Sequence, residues 1–243
     1  MILISKLIFL CAVIKISYGE LVEFGVTASE QKSIVNIHNE YRQMVANGSL
    51  SGQPVGTNIL RMYYDDYLAQ EAQKIANTTV YAHSSVSDDR FQVGQNLYLY
   101  SSTGASTARN WARAIESWFN EYKNYNYSAC CSGGAGHYTQ VIWAKTYYVG
   151  CGYAYYTNMS ETYAYRKFYV CNYGPTGNIV GLYPYETGES QGCEALCESS
   201  ETATTVASAV VAAASSSEKL MNTKIVLTQL LLSFTLFYLV KYI

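Results

Sequence analysis

Three stretches of the chain repeat their apolar residues at helical spacing. In the first, Ile34, Ile37, Tyr41 and Val45 follow Thr27-Ala28-Ser29-Glu30, a capping-box pattern, and Asn47-Gly48 closes the run, predicting a helix over about 28–46. In the second, Leu68, Ala72, Ile75 and Ala76 share one face of a helix that starts at Asp65 or Asp66 and ends by Asn77. In the third, Trp111, Ile115, Trp118, Phe119 and Tyr122 form one apolar stripe. Glu121 lies on the edge of that stripe, in line with Ala114, so it can point into a cleft beside the core. The stretch Tyr138–Trp143 is apolar without a decisive period and leaves strand and helix both open.

Two segments read as strands, Val149–Tyr156 and Arg166–Tyr173. An antiparallel register that sets Cys151 opposite Cys171 centres the turn on Glu161 and sets Tyr153 opposite Tyr169. The residues between, Asn158-Met-Ser-Glu-Thr162, are polar and suit an exposed hairpin tip. Directly opposed cysteines have disulfide-compatible separations, so Cys151–Cys171 is the predicted bridge.

Both ends of the chain depart from this globular pattern. Residues 1–19 carry Lys6, an apolar run Leu7 to Ile14, and small residues Ser17 and Gly19 before Glu20, the pattern of a cleaved signal peptide. From 199 to 217 the chain is almost wholly Ser, Thr, Ala and Val, a stalk composition. The segment 218–243 ends in an apolar stretch, Ile225 to Val240, that as a helix would reach about 24 Å against a ~30 Å hydrocarbon core. Small residues, a polar spacer and this tail fit a GPI-attachment signal with cleavage at Ser215 or nearby; a short single-pass anchor with Lys241 inside is the alternative.

A secreted chain keeps six cysteines after loss of Cys11, and an even number in an oxidising compartment implies disulfides. The pairing of Cys130, Cys131, Cys193 and Cys197 stays open. The sequons at Asn47, Asn77, Asn126 and Asn158 become candidate glycosylation sites. The whole chain has 16 Lys+Arg against 18 Asp+Glu, but five bases and one acid, Glu218, lie in the terminal segments, which leaves a net charge of −6 over 20–217. That charge argues against nucleic acid and against an anionic membrane surface as partners. Histidine chemistry is confined to His38, His83 and His137. His38, on the first predicted helix, is read as a capping or packing residue.

The most informative residues are Gly136-His-Tyr-Thr-Gln-Val-Ile-Trp143 and, downstream, Phe168-Tyr-Val-Cys-Asn-Tyr-Gly-Pro-Thr-Gly-Asn178. Supporting pieces precede or separate them: His38-Asn-x-x-Arg42, Leu68-Ala-Gln-Glu-Ala-Gln73, His83-Ser84, Gly94-Gln-Asn-Leu97 and Trp118-Phe-Asn-Glu121. Together these resemble, in order, the motifs of the CAP superfamily (cysteine-rich secretory proteins, antigen 5, pathogenesis-related 1), in its secreted, venom allergen-like branch, over residues 29–185. A short Cys-containing extension, 186–198, follows. The resemblance implies an α+β fold, a three-layer α/β/α sandwich with a central antiparallel sheet, in which the Gly-His-Tyr-Thr motif is a short helical turn.

The resemblance also implies a cleft lined by two histidines and two acids. Carried over position by position, these are His83, His137 and Glu121, with Gln95 where the family has its second acid. Two imidazoles and one carboxylate suit Zn²⁺ with open positions for water, but Gln95 adds no negative charge, so His83 and His137 are expected to bind Zn²⁺ weakly and no cofactor is required. A tyrosine-rich loop in some members binds sterols. The corresponding Tyr122, Tyr125 and Tyr127 are candidates here, although the pattern asks for an aromatic at Ser132 and Asn126 is a sequon within the loop.

The function this implies is an extracellular or surface-tethered, non-enzymatic protein that binds sterols, fatty acids, or host or cell-surface proteins, with immune modulation as the family role. Its membrane contact would come from the C-terminal anchor. One alternative is a weak metal-dependent hydrolase using His137 and Glu121 as acid and base. The mature cysteines are read as paired, which leaves no free thiol as nucleophile. The other alternative is a purely structural glycosylated surface module.

Overall fold

The structure, a computed structural model, describes residues 20–130, 134–188 and 196–198. The predicted signal peptide, stalk and anchor, and with them Cys131, Ser132, Cys193 and Ser215, lie outside the described residues. Among the described residues no helix is long and apolar enough to cross a membrane.

Strand β1 (Glu20–Phe24) precedes helix α1 (Ala28–Ala46). The capping box forms: the Thr27 hydroxyl accepts from the Glu30 amide at 3.3 Å and the Glu30 carboxylate accepts from the Thr27 amide at 2.8 Å. After the two-residue strand β2 (Tyr63–Tyr64) comes α2 (Asp66–Asn77), capped by Asp65, whose carboxylate accepts from the Leu68 amide at 2.8 Å. Strand β3 (Gly94–Ser102) leads to α3 (Trp111–Phe119), capped by Asn110, and then to a 3₁₀ turn, Asn120–Asn124. The predicted stripe from Trp111 to Tyr122 therefore changes helix type after Phe119. Glu121 sits on the tighter turn and not on the α-helical face in line with Ala114.

The stretch left open between strand and helix is α4 (Gly136–Ile142). All five residues from Tyr138 to Ile142 are buried, so no polar face exists to mark a helical period. The chain ends its sheet with β4 (Tyr148–Thr157) and β5 (Tyr165–Gly174). They pair antiparallel in the register expected from the sequence, Cys151 opposite Cys171 and Tyr153 opposite Tyr169, and Cys151–Cys171 is a disulfide with Cα atoms 4.1 Å apart. Cys130 and Cys197 are each disulfide-bonded as well, with partners outside the described residues.

The sheet order is β1-β4-β5-β3, with β2 alongside β4 as the one parallel pair described. Alternation along β4 and β5 divides the core. Tyr153, Tyr169, Cys171 and Tyr173 face α1, α3 and α4, whereas Ala154, Phe168 and Val170 face α2. This is the three-layer α/β/α arrangement. Helix α2 lies directly on β4 at two glycines: a Cβ on Gly150 would stand 2.2 Å from the Ala69 amide nitrogen, and one on Gly152 2.4 Å from that of Gln73.

Arg42 fastens the opposite layer. Its guanidinium is fully buried and donates to the carbonyls of Leu60, Val141, Trp143, Ala144 and Thr146. Burial lowers its pKa to about 9, which leaves it charged at neutral pH. One side chain thus ties α1 to the loop before β2 and to the end of α4, the helix that carries His137.

Candidate ligand-binding cleft

Helix α4 begins at Gly136 after Ala135, which provides no side-chain cap. Glu121 supplies one from the 3₁₀ turn. One carboxylate oxygen accepts from the backbone amides of His137 at 2.9 Å and Tyr138 at 3.3 Å; the other accepts from His137 Nδ1 at 2.6 Å. A carboxylate at this helix end satisfies donors that the helix leaves open and sits at the favourable end of its dipole. Because Nδ1–H is donated to Glu121, the neutral His137 ring turns the Nε2 lone pair outward. The ring lies nearly parallel to Trp118, at a centroid distance of 6.4 Å, and is about one-third exposed.

His83 comes from the loop after α2 and is exposed. Its Nδ1 meets Gln95 Oε1 at 2.9 Å. The orientation of that amide is fixed by its other partners. Gln95 Nε2 donates to Asn172 Oδ1 at 2.9 Å and to the Ser84 carbonyl at 3.3 Å, and Asn172 Nδ2 donates to the Leu68 carbonyl at 3.2 Å. Oε1 also accepts from the Ser84 amide at 3.2 Å. It is therefore the acceptor, Nδ1 carries the proton, and Nε2 of His83 presents a lone pair. An amide chain from α2 through β5 and β3 sets the tautomer of an exposed histidine.

The two histidines flank the edge strand β3. Gln95 points to the α2 side. Its neighbour Asn96 points to the other side and donates to the His137 carbonyl at 3.1 Å and to the Tyr173 hydroxyl at 3.4 Å. Tyr173 in turn meets His38 Nε2 at 3.0 Å, and His38 Nδ1 meets the Ile34 carbonyl at 2.8 Å. His38 thus packs within its helix as its sequence position suggests, and also crosses to the sheet. Burial holds it far below the usual imidazole range, at about 4. The Tyr81 hydroxyl, two residues before His83, is raised chiefly by burial and then by the charge of Glu121, which places the His83 loop within the field of the His137–Glu121 pair.

The structure therefore groups the predicted cleft residues as two pairs, His83 with Gln95 and His137 with Glu121. Among the described residues, no group of three or more His, Cys, Asp or Glu is placed to share a metal ion. Asn96, Asn172, Tyr173 and Trp118 are supporting residues that sequence reasoning did not assign. Asn96 and Asn172 were legible only through the period-two register of β3, which gives Gln95 opposite Asn172.

The loop tyrosines turn inward. Tyr125 is buried, its hydroxyl donates to the Ser128 carbonyl at 2.7 Å, and its ring stands 5.5 Å from that of Tyr138. Tyr122 packs between Phe119 and Tyr138, and the Tyr127 hydroxyl donates to the Tyr185 carbonyl at 2.5 Å. A lipid using this loop would have to part these contacts. The sequons Asn47, Asn77 and Asn126 are exposed, and Asn158 is half-buried at the β4–β5 tip, where it bonds Glu161.

Comparison with known proteins adds to this geometry. The family model for CAP, described as the cysteine-rich secretory protein family, matches residues 35–173. Salivary antigen-5 of Dipetalogaster maximus is 39% identical over 172 residues, covering 67% of this chain and 68% of that protein. Some relatives are longer: the chain spans 39% of a venom allergen 5 and 61% of a cysteine-rich secretory protein 3. Among solved structures, BmVAL-1 superposes with a TM-score of 0.59 at 27% identity, covering 72% of this chain and 96% of that one. NaASP2, solved with Zn²⁺, gives 0.56 at 28% identity, covering 68% and 89%.

Proposed function

We propose, from the premise that this chain belongs to the CAP (cysteine-rich secretory protein) family, that it is an extracellular, non-enzymatic binding protein. Its ligands are sterols or fatty acids, or host or cell-surface proteins, and its C-terminal segment holds it at a cell surface. The extracellular placement is supported by the salivary and venom relatives, by the signal-peptide pattern of residues 1–19 and by the disulfides.

The observation that carries the non-enzymatic reading is the occupation of Glu121. Both of its oxygens are engaged by three N–H groups of α4, so this carboxylate is spent on holding that helix and ring. Glu121 thus acts as a positioning group and not as an acid or base of its own, so any hydrolysis would have to run through the free Nε2 of His137 or His83. Peptide and ester libraries are expected to show no turnover that depends on His83 or His137. Turnover abolished by His83→Ala and His137→Ala would establish the hydrolase instead. Saturable binding of tritiated cholesterol or fatty acid is the positive test; its absence for both, with no bound lipid or protein retained on the purified material, would leave a structural surface module.

Zinc fits this cleft only loosely. His83 and His137 would each offer Nε2, and water would complete the shell, so affinity is low and no chemistry depends on the ion. Calorimetry should show weak Zn²⁺ binding that disappears in the two alanine variants; no His-dependent heat at millimolar zinc would refute it. Release from intact cells by a phosphatidylinositol-specific phospholipase would identify the anchor as GPI, and retention would identify a membrane-spanning segment.

A further inference from the structure

The far end of β3 carries a second pocket. It is a cavity of about 390 Å³ lined by Tyr98, Tyr100, Tyr169, Arg109, Arg113 and Lys167, and roofed by the loop between β3 and α3. In the β3–β5 register Tyr100 pairs with Lys167, five positions from the Gln95–Asn172 pair, which at about 3.3 Å per residue puts the cavity roughly 17 Å along the sheet from the histidine cleft.

Its charges are unbalanced. Arg109 is neutralised by Glu23 and Glu30. Lys167 is only 7% exposed, yet its ammonium donates to the Ala108 carbonyl and the Ser106 hydroxyl, with no carboxylate in contact among the described residues. Arg113 has its guanidinium over the Tyr100 ring at 4.9 Å, also with no carboxylate in contact among the described residues. Lys167 lies 5.7 Å from the same ring. A buried cation without a directly paired counter-ion is costly; the charge of Glu23 reaches Lys167, but that carboxylate is held by Arg109, and the pocket lining itself contains no acid. Flat tyrosine walls add a surface for an apolar body.

We propose that this cavity binds a small amphipathic organic anion, an aromatic carboxylate, with the carboxylate between Lys167 and Arg113 and the ring against Tyr98, Tyr100 and Tyr169. The charge selects the anion, because a neutral isostere leaves both cations unpaired. The aromatic wall selects the body, because inorganic anions gain nothing from it. This site goes beyond the lipid or protein binding proposed above and is independent of the histidine cleft.

Calorimetric titration of the full chain with 1-naphthoate, and with 1-naphthalenemethanol as its neutral isostere, tests the assignment. The acid should bind at least about tenfold tighter than the alcohol, as one charge-assisted contact warrants. Lys167→Met keeps the side-chain volume and should weaken the acid by about tenfold or more. Arg113→Gln, at an exposed position, should weaken it several-fold, and both variants should weaken the acid more than the alcohol. Equal affinity for acid and alcohol, absence of binding by either, or an acid affinity that Arg113→Gln leaves unchanged would overturn the proposal, whatever Lys167→Met does to folding.

Discussion

Gln95 shows how much one heavy atom decides in this cleft. Its amide nitrogen faces two acceptors, Asn172 Oδ1 and the Ser84 carbonyl. A carboxylate there would set oxygen against oxygen at 2.9 Å, and Asn172 cannot flip without releasing the Leu68 carbonyl. Gln95→Glu is therefore expected to cost about 1–3 kcal/mol in urea denaturation, while the added charge beside His83 tightens Zn²⁺ about tenfold. Unchanged stability would show that the amide chain does not hold the loop. His38 gives a pH dependence with a definite sign. Its imidazole takes a proton near 6.5 when unfolded and only near 4 in the fold, so the unfolded state binds more protons between those values. Its contribution is fully present above about 6.5 and is lost as the pH falls toward 4, by about 3 kcal/mol in all. His38→Gln should remove that slope, read as the difference between denaturation series for the two proteins at pH 7, 5.5 and 4.5.

The elements that the sequence announces are those whose two sides differ. Helices α1 and α2 carry one apolar face each, with caps at Thr27 and Asp65, and they begin and end where the pattern says. The β4–β5 hairpin was legible from two cysteines and a polar tip. Strand β3 was not, because leucines occupy one face and tyrosines the other and give no period-two contrast; α4 was not, because it is buried all along Tyr138–Ile142. The meaning of Gly150 and Gly152 was hidden for another reason. It lies in what crosses above the strand, and no strand pattern encodes a helix backbone. Gly152→Ala would drive a Cβ to 2.4 Å from the Gln73 nitrogen, where only backbone could give way, so α2 would have to lift from the sheet. A loss of about 3 kcal/mol or more is expected in chemical denaturation. Gly52→Ala is the comparison: that glycine has φ +83° with nothing within 4 Å of a Cβ, so only backbone strain is added, about 1 kcal/mol.

At the scale of the whole molecule, the family was legible because its long motifs lie on segments that the fold must bring together, α4 with β5 and β3. The pairing of the cleft was not, since it depends on which face of an edge strand each residue occupies. The sequence also separates a domain ending at 185 from a short extension, and the structure places part of that extension back on the body. The Arg61 amide donates to the Cys197 carbonyl at 2.7 Å, the Cys197 amide donates to the Ile59 carbonyl at 3.0 Å, and Leu196 is 5% exposed. Residues 59–61 adjoin the Leu60 carbonyl that Arg42 holds, so the extension braces the same loop that ties α1 to α4. A chain ending at 188 loses these two hydrogen bonds, about 0.5–1.5 kcal/mol each, and the burial of Leu196, worth about 1.5–3 kcal/mol. That sum, about 3–6 kcal/mol, is a large fraction of the stability of an ordinary domain, about 5–15 kcal/mol. Residues 20–198 expressed through a secretory route should therefore melt cooperatively, and residues 20–188 should melt at a clearly lower temperature. Equal melting temperatures for the two would mean that Leu196 and Cys197 rest on the fold without supporting it, and that the path from Arg42 to α4 stands by itself.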